Sequence, residues 1–219
     1  MKRLAVLISG QGRNLQAILD ASTAGKLPAR IVCVLSNRDE VGGLERARAA
    51  GVATEVVSHK EYLDRERFDR ALAVALERHQ PDIVALAGFM RVLGDDFIRK
   101  FRGRLVNIHP SLLPRHRGLH THRRVLEEKD AEHGGSVHFV TEELDGGPVA
   151  IQGRFTVTPQ DTEQTLADRV MRDVELKIYP QALAWMARDE LLLSREAVLF
   201  RGKRLAAPLT LDNLEPEFR

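Results

Sequence analysis

The stretch Arg3-Leu4-Ala5-Val6-Leu7-Ile8-Ser9-Gly10-Gln11-Gly12-Arg13-Asn14 decides the fold class. After Arg3 the run is apolar without polar alternation, the pattern of a strand covered on both faces and therefore of a parallel sheet. Small residues then break the strand, and helical spacing runs from Asn14 to Ala24. Strand, tight turn and helix open an α/β unit. The pattern recurs along the first half. Arg30 to Ser36, Ala53 to Val57, Asp82 to Ala87 and Arg104 to Ile108 are further short runs rich in Val, Ile or Leu. Between them Gly43 to Ala50, Lys60 to His79 and Asp95 to Arg102 carry helical spacing, with Leu63, Phe68, Leu72 and Leu76 as one stripe. An α/β fold with an open, mostly parallel, doubly wound sheet and right-handed crossovers is expected.

After about residue 108 the chain is punctuated by Gly, Pro and His. Ser136 to Thr141 and Val149 to Val157 read as antiparallel strands joined by the loop Glu142 to Pro148. A long helix is predicted from about Thr162 to Arg188, with Leu166, Val170, Val174 and Ile178 on one stripe and Thr162 with Thr165 as caps. A small strand near Ala197 to Phe200 precedes a tail, Pro208 to Arg219, that is expected to fray.

Composition narrows the function classes. With 219 residues and 43% apolar content, the chain is long enough to bury a core without disulfide or metal support. Its 33 basic and 31 acidic residues leave a net charge of +2 and are interspersed, so no basic footprint points to nucleic acid. An anionic ligand must be met locally. The single Cys33 lies inside the apolar run Ile31 to Leu35, which excludes an intrachain disulfide and a CxxC site and reads as a buried thiol. The run Leu4 to Ile8 is too short for a signal peptide, and no stretch reaches the roughly 18 apolar residues of a membrane span. A soluble cytoplasmic setting, away from membranes, is expected.

Ligands of open α/β sheets bind beyond the carboxyl ends of the strands, which selects Ser9 to Asn14, Gly88 to Arg91 and Asn107 to Ser111. The first loop precedes a helix and suits an anion at its N-terminus, or is a tight turn without a ligand. The third glycine of a dinucleotide fingerprint is missing, and the second strand ends in Ser36-Asn37 rather than an acid, so a monophosphate is the economical ligand. Asn107 and His109 lie two apart at a strand end, and Asp145 precedes Gly146-Gly147. An amide donor beside an imidazole suits a reaction in which a carbonyl oxygen gains charge while an amine exchanges a proton. A carboxylate nearby would hold His109 charged. The alternatives are a structural histidine and a turn-forming aspartate. His116, His120, His122, His133 and His138 invite a metal reading, but without HExxH or a glutamate at zinc spacing no metal is expected. His120 and His122 then read as polar loop residues.

The blocks Leu7 to Leu15, Ser36-Asn37 with Gly43-Leu44-Glu45-Arg46-Ala47, Leu86 to Arg91, Asn107-Ile108-His109-Pro110-Ser111-Leu112-Leu113-Pro114, Gly118 to His122, Ser136 to Val140 and Leu144 to Pro148 resemble the phosphoribosylglycinamide formyltransferase family over almost the whole chain. The resemblance implies one formyltransferase domain over 1–219, with a nucleotide-binding half, 1–108, and a folate-binding and C-terminal half, 109–219. It implies formyl transfer from 10-formyltetrahydrofolate, a co-substrate, to the amine of 5'-phosphoribosylglycinamide in purine biosynthesis, by a monomer or homodimer. Asn107, His109 and Asp145 match the family's catalytic set. Gly12, Arg13, Asn14 and Glu175 match substrate contacts. Arg65, Met90, Arg91, Val92, Leu93, Asn107, Thr141, Glu142, Glu143, Leu144 and Asp145 match the folate site. In the implied mechanism Asn107 and protonated His109 stabilise the oxyanion, and Asp145 raises the His109 pKa. Arg117 stands where the family often has Pro, and the family's Glu-His before Tyr-Pro appears as Glu175-Leu176, with one extra residue after Arg169.

A formyltetrahydrofolate deformylase, with water as acceptor, shares the same catalytic residues but usually carries an N-terminal regulatory domain, whereas this chain starts at its first strand. A nucleotide-binding dehydrogenase lacks its fingerprint here, and a non-catalytic binding module would not be expected to keep Asn107, His109 and Asp145 together.

Overall fold

The computed structural model describes residues 1–195 and 197–219. The chain divides into two compact units, Met1–Asn107 and Ile108–Arg219.

In the first unit the strands β1 (Lys2–Ile8), β2 (Ala29–Ser36), β3 (Thr54–Val56), β4 (Ile83–Leu86) and β5 (Leu105–His109) lie in the order β3-β2-β1-β4-β5. Every adjacent pair in that series is parallel. The uninterrupted apolar run of β1 follows from its central place: Leu4 to Ile8 are wholly buried, on both faces. The crossovers carry helices α1 (Arg13–Thr23), α2 (Gly42–Ala49), α3 (Arg65–Arg78) and α4 (Asp95–Lys100). Cys33 is buried, and burial pushes its thiol up to about 12.

The helix expected over Lys60 to His79 is two pieces. A single 3₁₀ turn spans His59–Glu61, and α3 begins only at Arg65, because the Asp64 carboxylate accepts the Arg67 N–H at 2.8 Å and caps a new helix there. Leu63 is therefore outside the stripe and 88% exposed, while Phe68, Leu72 and Leu76 are buried.

The carboxyl ends of three strands are tied by one hydroxyl. Ser9, after β1, donates to Asn37 Oδ1 at 2.5 Å and accepts the Met90 N–H at 2.7 Å. The following turn needs its glycine. Gly12 has φ +74°, and a Cβ there would lie 2.7 Å from the Gly43 Cα at the start of α2.

In the second unit β6 (Glu132–Phe139) and β7 (Val149–Thr156) form an antiparallel pair, with a register shift between Val137 and His138. The first of these strands begins four residues earlier than its apolar run suggested, through Gly134 and Gly135. His120-Thr121-His122, read as loop, opens a further helix, α5 (Thr121–Glu127). The expected long helix starts with the predicted box, in which Thr162 and Thr165 cap each other's backbone. It is then three segments: α6 (Glu163–Arg169), a π-helical stretch (Val170–Glu175) and α7 (Leu176–Ala187). A π turn takes up one residue more than an α turn. The residue that is extra after Arg169 is thus absorbed without rotating the apolar stripe out of phase, and Leu166, Val170, Val174 and Ile178 all stay buried. Gly153 admits this helix: a Cβ there would meet Val174 Cγ1 at 2.5 Å.

The predicted small strand, β9 (Ala197–Phe200), is the middle of an antiparallel sheet with β8 (Leu191–Ser194) and β10 (Lys203–Arg204). The tail does not fray. Leu209, Leu214 and Phe218 are buried, and Glu215 accepts from the Trp185 indole at 3.1 Å and the Arg188 guanidinium at 2.5 Å. Three apolar anchors spaced by about four residues were masked by the polar residues between them. No helix among the described residues is long and apolar enough to cross a membrane.

Gly12→Ala is expected to lower unfolding stability by about 2 kcal/mol, from left-handed strain and the clash with Gly43. Gly10→Ala, where a Cβ meets nothing within 4 Å, should cost under about 1 kcal/mol. Urea titration of both variants checks this, and equal losses would contradict it.

Candidate active site

His109 closes β5, and Asn107, two residues earlier, projects to the same side of the strand by alternation. The imidazole is buried, with 6% of the residue exposed. Its Nε2 lies 3.0 Å from the carbonyl oxygen of His116. A carbonyl only accepts, so Nε2 carries the hydrogen and Nδ1 is left for proton exchange. Nδ1 faces Asp145 Oδ2 at 3.5 Å.

Asp145 sits in the loop between β6 and β7 at φ +47°, a conformation Asp tolerates better than most residues. The turn closes by the Gly146 N–H to the Glu143 carbonyl at 3.0 Å. Its Oδ2 also accepts the Gly118 N–H at 2.9 Å, and its Oδ1 is 3.6 Å from His138 Nε2. Sequence reading missed His138 in this role. The His138 Nδ1–H donates to the Phe139 carbonyl at 3.1 Å, which leaves Nε2 toward the carboxylate. The register shift beside His138 is the kind of irregularity that re-aims a strand side chain, and only the pairing reveals it.

The electrostatics correct one expectation. Burial pushes the His109 pKa down and outweighs the His116 carbonyl and the Asp145 charge, which raise it; His138 and Arg124 push it further down. The imidazole therefore rests neutral at pH 7 rather than being held charged. Burial alone would push the Asp145 carboxyl up, but His138, His109 and the Gly118 N–H prevail and hold it below the ordinary carboxylate range.

The loop after β5 is set by buried polar groups. Ser136 donates to the Ser111 carbonyl at 2.6 Å and accepts from the Leu113 N–H at 3.2 Å and from Gln152 Nε2 at 3.0 Å. Arg117, at the position where the resemblance implied Pro, pairs with Glu143. Donor atoms of His116, Glu128 and Asp130 lie within 4.8 Å of one another. Arg115 pairs with both carboxylates and His116 Nε2 with Asp130, while the buried His116 Nδ1 makes no hydrogen bond and lies 3.6 Å from Glu128 Oε1.

The other expected site residues fall in their units as follows. Gly12 is the N-cap of α1, with Arg13 and the buried Asn14 in its first turn. Arg65 opens α3 near Gly94, and beside it the buried Asp69 accepts the Gly94 N–H at 2.7 Å, fixing the loop of Met90, Arg91, Val92 and Leu93. Burial raises the Asp69 pKa, against the opposing effects of that bond, Arg65 and Arg91. In the second unit Thr141, Glu142 and Leu144 share the loop of Asp145, and Glu175 is buried at the end of the π stretch.

A buried imidazole of fixed tautomer, opposite a carboxylate and on the same strand as an amide side chain, is equipment for moving a proton during group transfer. Residues 2–183 match the protein-family model described as formyl transferase. The chain is 48% identical over 202 residues to the phosphoribosylglycinamide formyltransferase of Escherichia coli strain K12, covering 92% of this chain and 95% of that protein. It is 41% identical over 205 residues to that of Haemophilus influenzae, covering 94% and 96%. The solved phosphoribosylglycinamide formyltransferase of Coxiella burnetii superposes with a TM-score of 0.91 at 44% identity, covering 95% of this chain and 98% of that one. The chain belongs to the formyl transferase family, and within it to the phosphoribosylglycinamide formyltransferases.

The neighbouring histidines set the response to acid. His133 is buried, its Nε2 2.8 Å from His122 Nδ1. Burial, then the charges of His122 and His116, push its pKa down from 6.5 to about 3. The unfolded chain binds a proton near 6.5 and the folded chain only near 3, so the stability His133 confers is present above 6.5 and lost as pH falls toward 3. The slope is at most about 1.4 kcal/mol per pH unit. Chemical unfolding from pH 7 to 4 should show this decline, and His133→Gln should make it shallower; an unchanged slope would contradict the assignment.

Proposed function

We infer that the protein transfers the formyl group of 10-formyltetrahydrofolate to the amine of 5'-phosphoribosylglycinamide, giving N-formylglycinamide ribonucleotide and tetrahydrofolate. The observation that carries this is the buried His109 facing the Asp145 carboxylate at the end of the strand bearing Asn107, in a chain whose relatives are named phosphoribosylglycinamide formyltransferase. The same names favour the amine over water as acceptor.

Within each unit a loop presents apolar side chains suited to a flat ring system. Met90 and Val92 are 60% and 55% exposed after β4, and Leu144 is 54% exposed after β6. Such side chains left in water gain by covering a ring system. Arg65, Arg91, Leu93 and the segment Thr141 to Asp145 would hold the folate, which supplies an activated formyl carbon. Gly12 caps α1 without a side chain, and no acidic residue occupies the first turn, so the backbone N–H groups with Arg13 and Asn14 suit the ribonucleotide phosphate. Glu175 would contact the glycinamide substrate.

Asn107 donates its amide N–H to the oxygen that gains charge as the amine attacks the formyl carbon. His109 takes the proton from that amine on Nδ1 and returns it to the leaving nitrogen. Asp145 faces the protonated Nδ1 and steadies the transient imidazolium. A neutral resting imidazole starts this cycle as a base, a better match to an amine that must lose a proton than an imidazolium would be.

Incubation of the purified chain with 10-formyltetrahydrofolate should form tetrahydrofolate in step with added phosphoribosylglycinamide. Equal release with water alone would contradict the acceptor. Asn107→Ala should lower kcat by about 10²-fold or more with smaller changes in substrate affinity. Wild-type turnover in that variant would overturn its role.

A further inference from the structure

His116 is a residue in a costly conformation. Its φ is +52°, in the left-handed region that disfavours side chains by roughly 1 kcal/mol or more. Its side chain is 3% exposed and donates Nε2–H to Asp130 Oδ2 at 2.7 Å. Asp130 is 5% exposed, pairs with Arg115, and has its own N–H on the Val125 carbonyl at 3.0 Å, just past the end of α5. The backbone carbonyl that this side chain anchors is the one accepting His109 Nε2–H.

We propose that His116 and Asp130 are positioning residues that select the working tautomer of His109. Asp130 grips the His116 ring, the grip holds the left-handed turn, and the turn points its carbonyl at Nε2. With that acceptor in place the hydrogen stays on Nε2, and Nδ1 is the nitrogen that exchanges a proton opposite Asp145. Without it, hydrogen on Nδ1 becomes competitive, because Asp145 is an acceptor on that side. The ring then presents a hydrogen where the reaction needs a lone pair. Among the described residues the pair is joined to the imidazole through the backbone carbonyl of residue 116, so it acts through geometry.

The consequence for turnover rests on the reaction proposed above; the tautomer itself does not. The test uses the full chain labelled with ¹⁵N-histidine, and the His109 ring nitrogens are read at pH 7.5 alongside kcat and both KM values. Wild type should show protonated Nε2 and unprotonated Nδ1. Asp130→Ala and His116→Gly, the latter free of left-handed strain, should show a mixture, with kcat reduced about tenfold or more and KM within about twofold. Asp130→Asn, which keeps an acceptor for His116 Nε2–H, should restore the wild-type spectrum and most of the turnover. An unmixed Nε2–H signal in the folded Asp130→Ala or His116→Gly protein would overturn the proposal. Loss of the fold in both, seen by circular dichroism, would overturn it equally, since it would make the pair structural rather than local. A mixed tautomer with unchanged formyl transfer would leave the positioning intact and count against His109 as the proton carrier.

Discussion

The chemistry depends on one buried ring hydrogen-bonded to a backbone carbonyl. In water an imidazole samples both tautomers and ionises near neutrality. Under 6% exposure, with Nε2 on the His116 carbonyl and Nδ1 across from Asp145, His109 has one tautomer and a depressed pKa. Each partner is placed by a different device. The carbonyl comes from a left-handed turn, the carboxylate from a glycine-closed loop, and the ring from a strand end.

That economy shapes the surrounding polar groups. Ser136, Gln152 and the Leu113 backbone bond one another away from water, so the segment after β5 is held by polar bonds as well as by the buried Leu113 side chain. Among the described residues the ion pairs here are of two kinds. His116 and Asp130 are enclosed, where removing one partner leaves the other desolvated. Arg117 and Glu143 are open to solvent, where a pair contributes ~0–1 kcal/mol. Arg117 thus stands as a weak tether where the family often has Pro.

Where burial alone set the pattern, the sequence was readable. The strands β1, β2, β4 and β5 show as apolar runs because both faces are covered, and the Thr162–Thr165 box shows because capping is local. Asn107, His109 and Asp145 were picked out by chemistry and by family motifs, and the second unit does bring His109 and Asp145 face to face. Long-range effects stayed hidden. Leu63 fits an apolar stripe, yet one aspartate later starts a new helix. The π stretch at Val170–Glu175 has no periodic signature, since it preserves the stripe it interrupts. The charge of His109 was misjudged because a nearby carboxylate is visible as a motif, whereas desolvation exists only after folding. His138 escaped for the same reason.

The central claim is that His109 rests neutral and that Asp145 moderates a shift whose main cause is burial. Titration of the His109 ring by NMR in the wild type and in Asp145→Asn tests it directly. The expected pKa lies below 6.5 in the wild type and lower still in the variant, because removing the carboxylate leaves only the His116 carbonyl to oppose burial, His138 and Arg124. A wild-type value above 6.5, or a variant value equal to or above the wild type, would contradict it.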